Sequence, residues 1–294
     1  MRALSATLRH GIEARLGLRN AAWRARGTSA WASTWTLAGG GRRFFVKVAA
    51  DAAMLASEAD GLGALADTRT VRVPAVLACE REDDIACLVL EWLDVTARPP
   101  SHTLGRAIAQ LHRAAVPHGP RGERYGWHEA NYLGATPQAN AWCDDWCAFF
   151  RTRRLEPQLA RLEARGFGEL AREGTRLLEA LPSLLAHDPA PSLLHGDLWS
   201  GNAAMLASGE GAVFDPAVYV GDREADIAMT ALFGGFGEDF LRGYESVWPL
   251  DDAFASRRAV YDLYHLLNHV NLFGDAYVAR TRRTLSQLRE AAGY

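Results

Sequence analysis

The sequence Leu194-His195-Gly196-Asp197-Leu198-Trp199-Ser200-Gly201-Asn202 is the stretch around which the rest of the chain is organised. It brings a histidine, a carboxylate and an amide close together, and a short apolar run, Val213-Phe214, leads to a second carboxylate at Asp215. Such side chains can hold a cation and orient a hydroxyl group. They can also bond only to backbone groups, as in a polar turn between two strands. Other parts of the chain have to distinguish a reactive site from a turn.

These residues follow the spacing H-x-D-x-x-x-x-N, which is typical of the catalytic loop of kinases. In phosphoryl transfer one carboxylate orients the attacking hydroxyl group and can accept its proton, and this role is predicted for Asp197. An amide oxygen and a second carboxylate bind the Mg²⁺ ions that neutralise the phosphate oxygens. These roles are predicted for Asn202 and Asp215.

Length and composition are typical of a globular protein and exclude several classes of function. The 294 residues, 49% hydrophobic and 23% charged, are enough for two lobes or domains. The net charge of −3, without an obvious basic stripe, argues against nucleic-acid binding. The N-terminus lacks the apolar core of a signal peptide, and no window approaches the ~18 apolar residues of a membrane span. Since four cysteines are too few for a disulfide scaffold, we expect a cytoplasmic protein that does not bind membranes.

The hydrophobic pattern divides the chain into a β-rich first part and a helical second part. The first part predicts a short amphipathic helix over 1–18, β-structure from Trp23 to about Ala50 with a turn at 39–41, a helix over roughly 52–66 capped by Asp51, and strands near 75–79 and 86–91. The second predicts a helix with one apolar face from Leu104 to Ala115, helices at 141–164, 167–186, 223–233, 236–247, 253–273 and 275–291, and strands near 203–206 and 211–215.

Arg98-Pro99-Pro100 interrupts both patterns and predicts a boundary between an N-terminal lobe, 1–97, and a C-terminal lobe, 98–294. The order of elements predicts an α+β fold of the bilobal, protein-kinase-like type. Its small N-terminal lobe would be an antiparallel β-sheet with one helix, and its larger C-terminal lobe would be mainly α-helical.

The N-terminal lobe offers the complementary half of a phosphoryl-transfer site. Lys47 ends the apolar strand Phe44-Phe45-Val46-Lys47, and Glu58 lies on the predicted helix that follows. Kinases use such a lysine to contact the α- and β-phosphates and such a glutamate to hold it. A lysine at a strand end is usually only solvated, but the combination with Glu58 and the downstream Asp/Asn/Asp set favours a nucleotide site.

Two further segments are candidates for nucleotide contacts. Gly27, Thr28 and Ser29 lie where a kinase has its glycine-rich loop, and their N–H and hydroxyl groups could cap phosphates. The run Glu91-Trp92-Leu93 precedes the lobe boundary, where backbone atoms of a kinase bind adenine.

Polar residues on two later helices admit more than one interpretation. Arg223 and Asp226 predict an ion pair that braces the loop behind the metal site rather than a direct catalytic role. His265 and Asn268 form a polar stripe on the helix at 253–273, which could face solvent or bind a polyhydroxyl substrate. His265 and His269 lack the glutamate of the zinc-protease pattern H-E-x-x-H, so a zinc site is not expected.

With these residues in place, the sequence resembles the fructosamine-3-kinase family, the ketosamine kinases that share a fold with aminoglycoside phosphotransferases and choline kinases. The runs that carry the resemblance are Gln110-Leu111-His112, Gly126-Trp127, Asn131–Gly134, Thr136–Gln138, Trp142, Asp145-Trp146, His195–Asn202, Phe214–Ala217, Tyr219–Glu224, Leu232–Phe236 and Leu263–Gly274.

The resemblance implies ATP-dependent phosphorylation of the 3-hydroxyl of a ketosamine, the sugar adduct of a glycated amine or glycated protein. The phosphorylated adduct is unstable, so the family is regarded as a deglycation system. By position, Asp197 resembles the catalytic base, Asn202 and Asp215 the magnesium ligands, and Lys47 with Glu58 the phosphate-anchoring pair. Trp199 would stack on the sugar, and the resemblance favours substrate binding as the role of His265 and Asn268.

The chain departs from the family where members often carry a cysteine in the phosphate-covering loop, used in some as a redox switch through a disulfide-linked dimer. Gly27-Thr28-Ser29 stands there, and the first cysteine is Cys79. We therefore expect no such switch. The sequence alone does not choose between monomer and dimer, between free and protein-bound substrate, or among ribulosamine, erythrulosamine and fructosamine.

Two rival interpretations stay open at this point. A kinase for an aminoglycoside, choline or methylthioribose would share the catalytic residues, but pockets for such substrates often carry acidic clusters, whereas Trp199 and residues 265–271 favour a ketosamine. A non-catalytic nucleotide-binding protein, or pseudokinase, would be expected to lack Lys47, Asp197, Asn202 or Asp215. All four are present.

Overall fold

The structure is a computed structural model that describes residues 4–29 and 31–293. Its smaller lobe is built on five strands: β1 (Ala22–Thr28), β2 (Ala32–Gly39), β3 (Arg42–Ala49), β4 (Val76–Glu82) and β5 (Ile85–Glu91). They form one antiparallel sheet in the order β1-β2-β3-β5-β4. Gly40 and Gly41, both with positive φ, make the predicted turn between β2 and β3.

Helices cover both faces of this sheet. The first, α1 (Ala6–Arg15), packs Leu8 and Ile12 into an apolar cluster with Val46 on one face. The second, α2 (Ala52–Asp67), starts at the predicted cap, where the Asp51 carboxylate accepts a hydrogen bond from the Ala53 N–H. It buries its apolar side against the other face. Both helices lie where the sequence predicts them, over 1–18 and roughly 52–66. Residues 1–3 of the predicted first helix lie outside the described residues.

Strand alternation decides which way Lys47 points. Val46 and Val48 belong to the apolar cluster on the α1 side of β3. Because successive side chains of a strand point to opposite faces, Lys47 lies on the α2 side, between the sheet and the other lobe.

Residues 92–101 connect the lobes without a helix or a strand, apart from a single β-bridge between Val95 and Leu206. The predicted boundary after residue 97 falls within this connection and stays a prediction.

The larger lobe is mainly helical, as predicted. Its helices are α3 (His102–His112), α4 (Trp146–Phe149), α5 (Glu156–Ala164), α6 (Gly168–Leu177), α7 (Leu181–Leu184), α8 (Glu224–Leu232), α9 (Glu238–Glu245), α10 (Phe254–Phe273) and α11 (Val278–Ala291). A π-helix (Phe150–Leu155) joins α4 to α5, and a 3₁₀-helix (Gly274–Tyr277) joins α10 to α11. The strands are β6 (Asn131–Leu133), β7 (Thr136–Gln138), β8 (Pro191–Leu194), β9 (Ala203–Met205), β10 (Gly211–Val213) and β11 (Tyr219–Asp222).

Two helix predictions in this lobe were wrong in extent. The helix expected over 141–164 begins only at Trp146, where Asp145 caps it by accepting a hydrogen bond from the Ala148 N–H, and it contains the π-helical segment. The helix expected over 167–186 is interrupted between α6 and α7, with Pro182 in the first turn of α7. The hairpin of β6 and β7 was not predicted. Across residues 4–29 and 31–293 we find no helix with the length and apolar character needed to traverse a lipid bilayer.

Candidate active site

The catalytic loop starts at the end of β8, whose partner strand in the lobe is β11. Gly196 has a φ of +79°, and an added Cβ would lie 2.0 Å from the Ala217 carbonyl oxygen, so only glycine fits there. Behind the loop, the Asp226 carboxylate accepts hydrogen bonds from the N–H groups of His195 at 2.7 Å and Gly196 at 2.9 Å. These contacts fix the direction in which the chain enters the loop.

Asp226 is itself buried and lies 3.1 Å from His112 Nε2. Burial alone would raise its pKa, but the His112 contact and the backbone donors lower the pKa below its ordinary value. The predicted ion pair between Asp226 and Arg223 is not formed. Arg223 instead donates to the Tyr244 hydroxyl and to the carbonyl of Pro249, so Asp226 braces the loop without Arg223.

Within the loop, the Asn202 amide bonds to both aspartates predicted for the site, Asp197 and Asp215. Asn202 Nδ2 donates to Asp197 Oδ2 at 2.9 Å, to the Asp197 carbonyl at 3.0 Å and to the Asp215 carbonyl at 3.4 Å. Burial raises the pKa of Asp197 to about 7; the charges of Asp215 and Asp226 add to this effect, and the Asn202 hydrogen bond opposes it. The carboxyl group of Asp197 is therefore poised to exchange a proton near neutral pH.

The N-terminal lobe contributes Lys47 and Glu58 to the same place. Lys47 Nζ lies 2.8 Å and 2.9 Å from the two carboxylate oxygens of Glu58, and it also donates to Asp215 Oδ1 across the interface between the lobes. Burial alone would lower the pKa of Lys47, but the two carboxylates raise it above its ordinary value. The lysine thus remains a cation although it is only 8% exposed.

These groups face a cavity of about 300 Å³ between the lobes. Lys47, Glu58, Asp197, Asn202 and Asp215 line it. Aromatic side chains line the remaining wall, together with Ser29 and Gly134; they are Trp31, Tyr132 and Trp199. Trp199 is 38% exposed, and an added Cβ on Gly201 would lie 2.2 Å from its ring, so this glycine lets the indole lie flat against the loop.

A second cavity, of about 210 Å³, lies on the other side of Asp215. Its lining is mostly apolar and includes Phe45, Leu90 and Phe214, together with the predicted hinge residues Glu91, Trp92 and Leu93. The side chains of Glu91 and Trp92 are engaged elsewhere, with Arg72 and with Asp94 Oδ1 respectively. Part of the backbone is engaged as well, since the Glu91 N–H donates to the Ala75 carbonyl and the Leu93 carbonyl accepts from the Val95 N–H.

The remaining predicted site residues do not all reach the cavities. Gly27 and Thr28 form the end of β1, and of the three candidate phosphate-covering residues only Ser29 lines the first cavity. His265 and Asn268 are buried inside the larger lobe and line neither cavity. Asn268 bonds to Gln158 and the Leu133 carbonyl, and burial lowers the pKa of His265 to about 3.

Trp31 and Tyr132 are two aromatic cavity residues that the sequence did not predict as part of the site. Tyr132 lies on the β6–β7 hairpin, within the run Asn131–Gly134 that carries part of the family resemblance. The family resemblance of that run could have pointed to Tyr132, but the strands of the hairpin are too short to show a periodic hydrophobic pattern.

Comparison with known proteins identifies the family of this chain. The chain matches the model of the fructosamine kinase family over residues 17–291. A probable ketoamine kinase from Synechocystis sp. is 40% identical over 257 residues, covering 86% of this chain and 85% of the relative. A chloroplastic protein-ribulosamine 3-kinase from Arabidopsis thaliana is 39% identical over 241 residues, covering 80% of this chain and 72% of the relative. The chain belongs to the fructosamine kinase family.

Comparison with solved structures shows that this chain has a kinase-like fold. The crystal structure of a provisional fructosamine-3-kinase from Thermobifida fusca superposes with a TM-score of 0.85 at 30% identity, covering 96% of this chain and 98% of the other. An aminoglycoside phosphotransferase superposes with a TM-score of 0.65 at 11% identity over 99% of this chain and 100% of the other, which shows the fold alone. The predicted bilobal α+β fold and the predicted family are thus confirmed.

Proposed function

We propose that this member of the fructosamine kinase family is an ATP-dependent ketosamine kinase. It would phosphorylate the 3-hydroxyl of ribulosamine or fructosamine adducts on amines or protein lysines. The names of its relatives, a ketoamine kinase and a protein-ribulosamine 3-kinase, support this substrate class. The observation that carries the proposal is the position of Asp197, in one cavity with the Lys47–Glu58 pair of the other lobe and with the exposed ring of Trp199.

In the proposed reaction, Asp197 orients the 3-hydroxyl group and accepts its proton as the oxygen bonds to the γ-phosphorus and the bond to the ADP oxygen breaks. The raised pKa of Asp197 suits a group that takes and returns a proton near pH 7. Lys47 supplies positive charge for the phosphate oxygens, and Glu58 keeps its ammonium group in place. Most of the rate enhancement then comes from positioning and electrostatics rather than covalent chemistry.

Asn202 and Asp215 fit a Mg²⁺ ion by the chemistry of their donor atoms. The Asn202 NH₂ group faces Asp197 and the Asp215 carbonyl, which leaves the amide oxygen as the atom available to a cation. Carboxylate and amide oxygens are ligands that Mg²⁺ accepts readily. When bound, Mg²⁺ would neutralise charge on the phosphate oxygens.

The second cavity is proposed to receive the adenine of ATP. Its apolar lining suits a flat ring, and the backbone of Trp92 and Leu93 would supply the hydrogen bonds to it. Because Asp215 lines both cavities, the triphosphate would run past it from the adenine toward Asp197. In this arrangement Ser29 is the predicted phosphate-covering residue closest to the reaction, and Trp199 is proposed to stack on the sugar.

Asp197→Asn tests the proposal most directly. The amide cannot accept the hydroxyl proton, so we expect kcat on a ribulosamine or fructosamine of the same lysine derivative to fall by about 10²- to 10⁴-fold. The Kd for Mg-ATP should stay within about threefold, because nothing in the proposed nucleotide cavity changes. The measurements are coupled ADP release and calorimetric nucleotide binding.

Asp188→Asn is a matched control, since this exposed carboxylate pairs with Arg124 away from both cavities. Wild-type turnover by the Asp197 variant would contradict the assigned role. Turnover of an aminoglycoside but of neither ketosamine by the unchanged protein would contradict the substrate class, and Mg-ATP binding without turnover of any acceptor would favour a pseudokinase.

A further inference from the structure

The helix that carries Glu58 is attached to the larger lobe by polar contacts on the side away from the sheet. Trp127 Nε1 donates to Asp60 Oδ2 at 2.8 Å, and the Tyr132 hydroxyl donates to Asp51 Oδ2 at 3.0 Å. Asp51 caps the first turn of α2, and Asp60 lies two residues beyond Glu58. Residues two apart on a helix face different directions, so Glu58 and Asp60 engage different partners, Lys47 and the larger lobe.

The segment that receives α2 is firmly tied to the chain that follows Asp215. Gly126 and Val220 exchange backbone hydrogen bonds at 3.0 Å and 2.8 Å, and Asn131 Nδ2 donates to the Val218 carbonyl at 2.7 Å. Gly61 of α2 approaches the same stretch, because an added Cβ would lie only 3.1 Å from Pro216 Cγ. The contacts of α2 therefore end on the element that also positions Asp215.

Apolar packing alone would not fix the helix this closely. The buried leucines of α2 hold it on the sheet, but such contacts are not directional and tolerate small shifts and rotations. Hydrogen bonds at two places along the helix define both its rotation and its position. Glu58 and Lys47 can meet at 2.8 Å only if that position is kept.

We propose that Trp127 and Tyr132 are positioning residues: through Asp60 and Asp51 they fix α2 on the larger lobe and so hold Glu58 against Lys47 without an activating partner or modification. We call these two contacts the α2 clamp. The protein would then have its phosphate-anchoring pair assembled before any ligand binds. This proposal rests on the proposed function only for its kinetic readout.

The Asp60–Trp127 contact is the better one to test, since Trp127 and Asp60 do not line either cavity, whereas Tyr132 does. Trp127→Phe keeps an aromatic ring in the buried site and removes the N–H donor. We expect kcat/KM for ATP to fall about five- to tenfold, as for the loss of one hydrogen bond of ordinary net strength. The Kd for Mg-ADP should rise by a similar factor, and the backbone amides of α2 should exchange hydrogen faster.

Variants of Asp60 separate positioning from general stability. Asp60→Leu should reproduce the kinetic loss, and Asp60→Asn should restore most of it, because the amide oxygen can still accept from Trp127. Asp60 Oδ1 also lies 3.4 Å from His128 Nε2, so the double variant Trp127→Phe/Asp60→Leu should be no worse than Asp60→Leu alone. Trp23→Phe is the matched control: it removes a 2.7 Å indole hydrogen bond to the Glu13 carboxylate, far from α2, and should leave Mg-ADP affinity unchanged.

The proposal is overturned if Trp127→Phe lowers only the Tm and leaves α2 exchange, Mg-ADP affinity and kcat/KM for ATP at wild-type values. It is also overturned if Asp60→Asn is as impaired as Asp60→Leu. Failure of the proposed function would look different, because the unchanged protein would turn over no ketosamine while the exchange and Mg-ADP measurements still reported on the clamp.

Discussion

Asp197 has a proposed role that requires its charged form, but its environment makes that charge unfavourable. As the proposed base it must be a carboxylate to accept the hydroxyl proton. Burial and the neighbouring carboxylates Asp215 and Asp226 raise its pKa to about 7. The charged form that would accept a proton is therefore less stable in the folded protein than in the unfolded chain. Conflict of this kind is common at active sites and is expected to lower stability near neutral pH.

This conflict predicts that Asp197→Asn loses activity but gains stability, by an amount that depends on pH. A raised folded-state pKa means that the folded protein keeps a proton that the unfolded chain loses above about pH 4. The stability that this group contributes is thus fully present below that pH and is lost as pH rises through about 7. The Tm of the variant minus that of wild type should grow between pH 5 and pH 8, as measured by calorimetry.

Asp188→Asn again serves as the control, because this exposed carboxylate pairs with Arg124 and its loss should change the Tm only slightly. An Asp197→Asn difference that stays constant across this range would contradict the raised pKa.

Trp199 can be tested without changing the tryptophan itself. In Gly201→Ala the new Cβ would lie 2.2 Å from the indole ring, so the ring must move. If Trp199 stacks on the sugar, KM for the ketosamine should rise by up to about a hundredfold, while KM for ATP stays near its wild-type value. Steady-state kinetics with each substrate varied in turn would measure this.

Gly237→Ala provides the comparison, since nothing lies within 4 Å of its added Cβ. Equal rises in both KM values for Gly201→Ala would show a general disturbance of the loop rather than a role for the indole.

At this scale the sequence identified the groups that lie within short motifs and missed those that depend on how lobes meet. The spacing from Asp197 to Asn202 and the strand that carries Lys47 predict which residues converge, and they do converge. Trp31 and Tyr132 reach the cavity only because separate segments fold together. The sequence shows His265 and Asn268 as a polar stripe on a helix, but both lie inside the lobe, where Asn268 bonds to Gln158 and to the Leu133 carbonyl. Periodicity shows that a helix face is polar, but it cannot show whether that face contacts solvent or buried polar groups.

Among the elements, α3 and α9 approach each other at two glycines. An added Cβ on Gly105 would lie 2.0 Å from the Phe240 carbonyl oxygen, and one on Gly243 would lie 2.1 Å from the His102 carbonyl oxygen. Because the added Cβ at each glycine would collide with backbone atoms of the other helix, neither helix can accept even a methyl group there without moving. This crossing sets the distance between the two helices.

Gly105→Ala should therefore destabilise the protein by about 1–3 kcal/mol or more, because the helices must separate. Gly63→Ala is the opposite case: the position is exposed on α2, nothing lies within 4 Å of its added Cβ, and alanine is the better helix former. That variant should gain about 0.5–1 kcal/mol. Urea unfolding of both variants measures the change in the free energy of unfolding, which should fall for Gly105→Ala and rise for Gly63→Ala. A Gly105→Ala protein as stable as wild type would disprove the close approach.

Elements with a long apolar period, such as α10, could be predicted nearly to their ends, since most of their residues face the core. The β6–β7 hairpin could not be predicted in this way, because each strand has only three residues and the middle residue of β7 is Pro137. Its place is determined by the side-chain amides of Asn131 and Gln138, which bond to the carbonyls of Val218 and Ala217 in a distant segment.

For the whole molecule, the two lobes are joined through the proposed site itself. Lys47 bonds to Asp215 across the interface, and the Arg72 carbonyl accepts from the Val213 N–H on the strand that leads to Asp215. Together with the proposed α2 clamp, these contacts couple the sheet, the helix that carries Glu58 and the proposed metal ligand Asp215. The bilobal order was predictable from the sequence, whereas the contacts that set the relative position of the lobes were not.

The cysteines of the molecule predict how it responds to oxidants. The phosphate-covering segment has no cysteine, and the four cysteines, Cys79, Cys87, Cys143 and Cys147, are free. Cys79 is exposed on β4, but burial of its thiol and the nearby charges of Glu80 and Glu58 raise its pKa. A thiol with a raised pKa has little thiolate at neutral pH and reacts slowly.

We therefore expect that mild treatment with diamide or hydrogen peroxide leaves kcat within about twofold of the reduced protein, since the exposed thiol of Cys79 has a raised pKa and reacts slowly. Non-reducing electrophoresis should show no disulfide-linked dimer. Ser29→Cys is the matched comparison, because it places a thiol on the cavity wall in the segment proposed to cover the phosphates. That variant should become sensitive to oxidant and recover on reduction. Reversible inactivation of the unchanged protein, accompanied by a dimer band, would show instead that Cys79 or another native thiol acts as a switch.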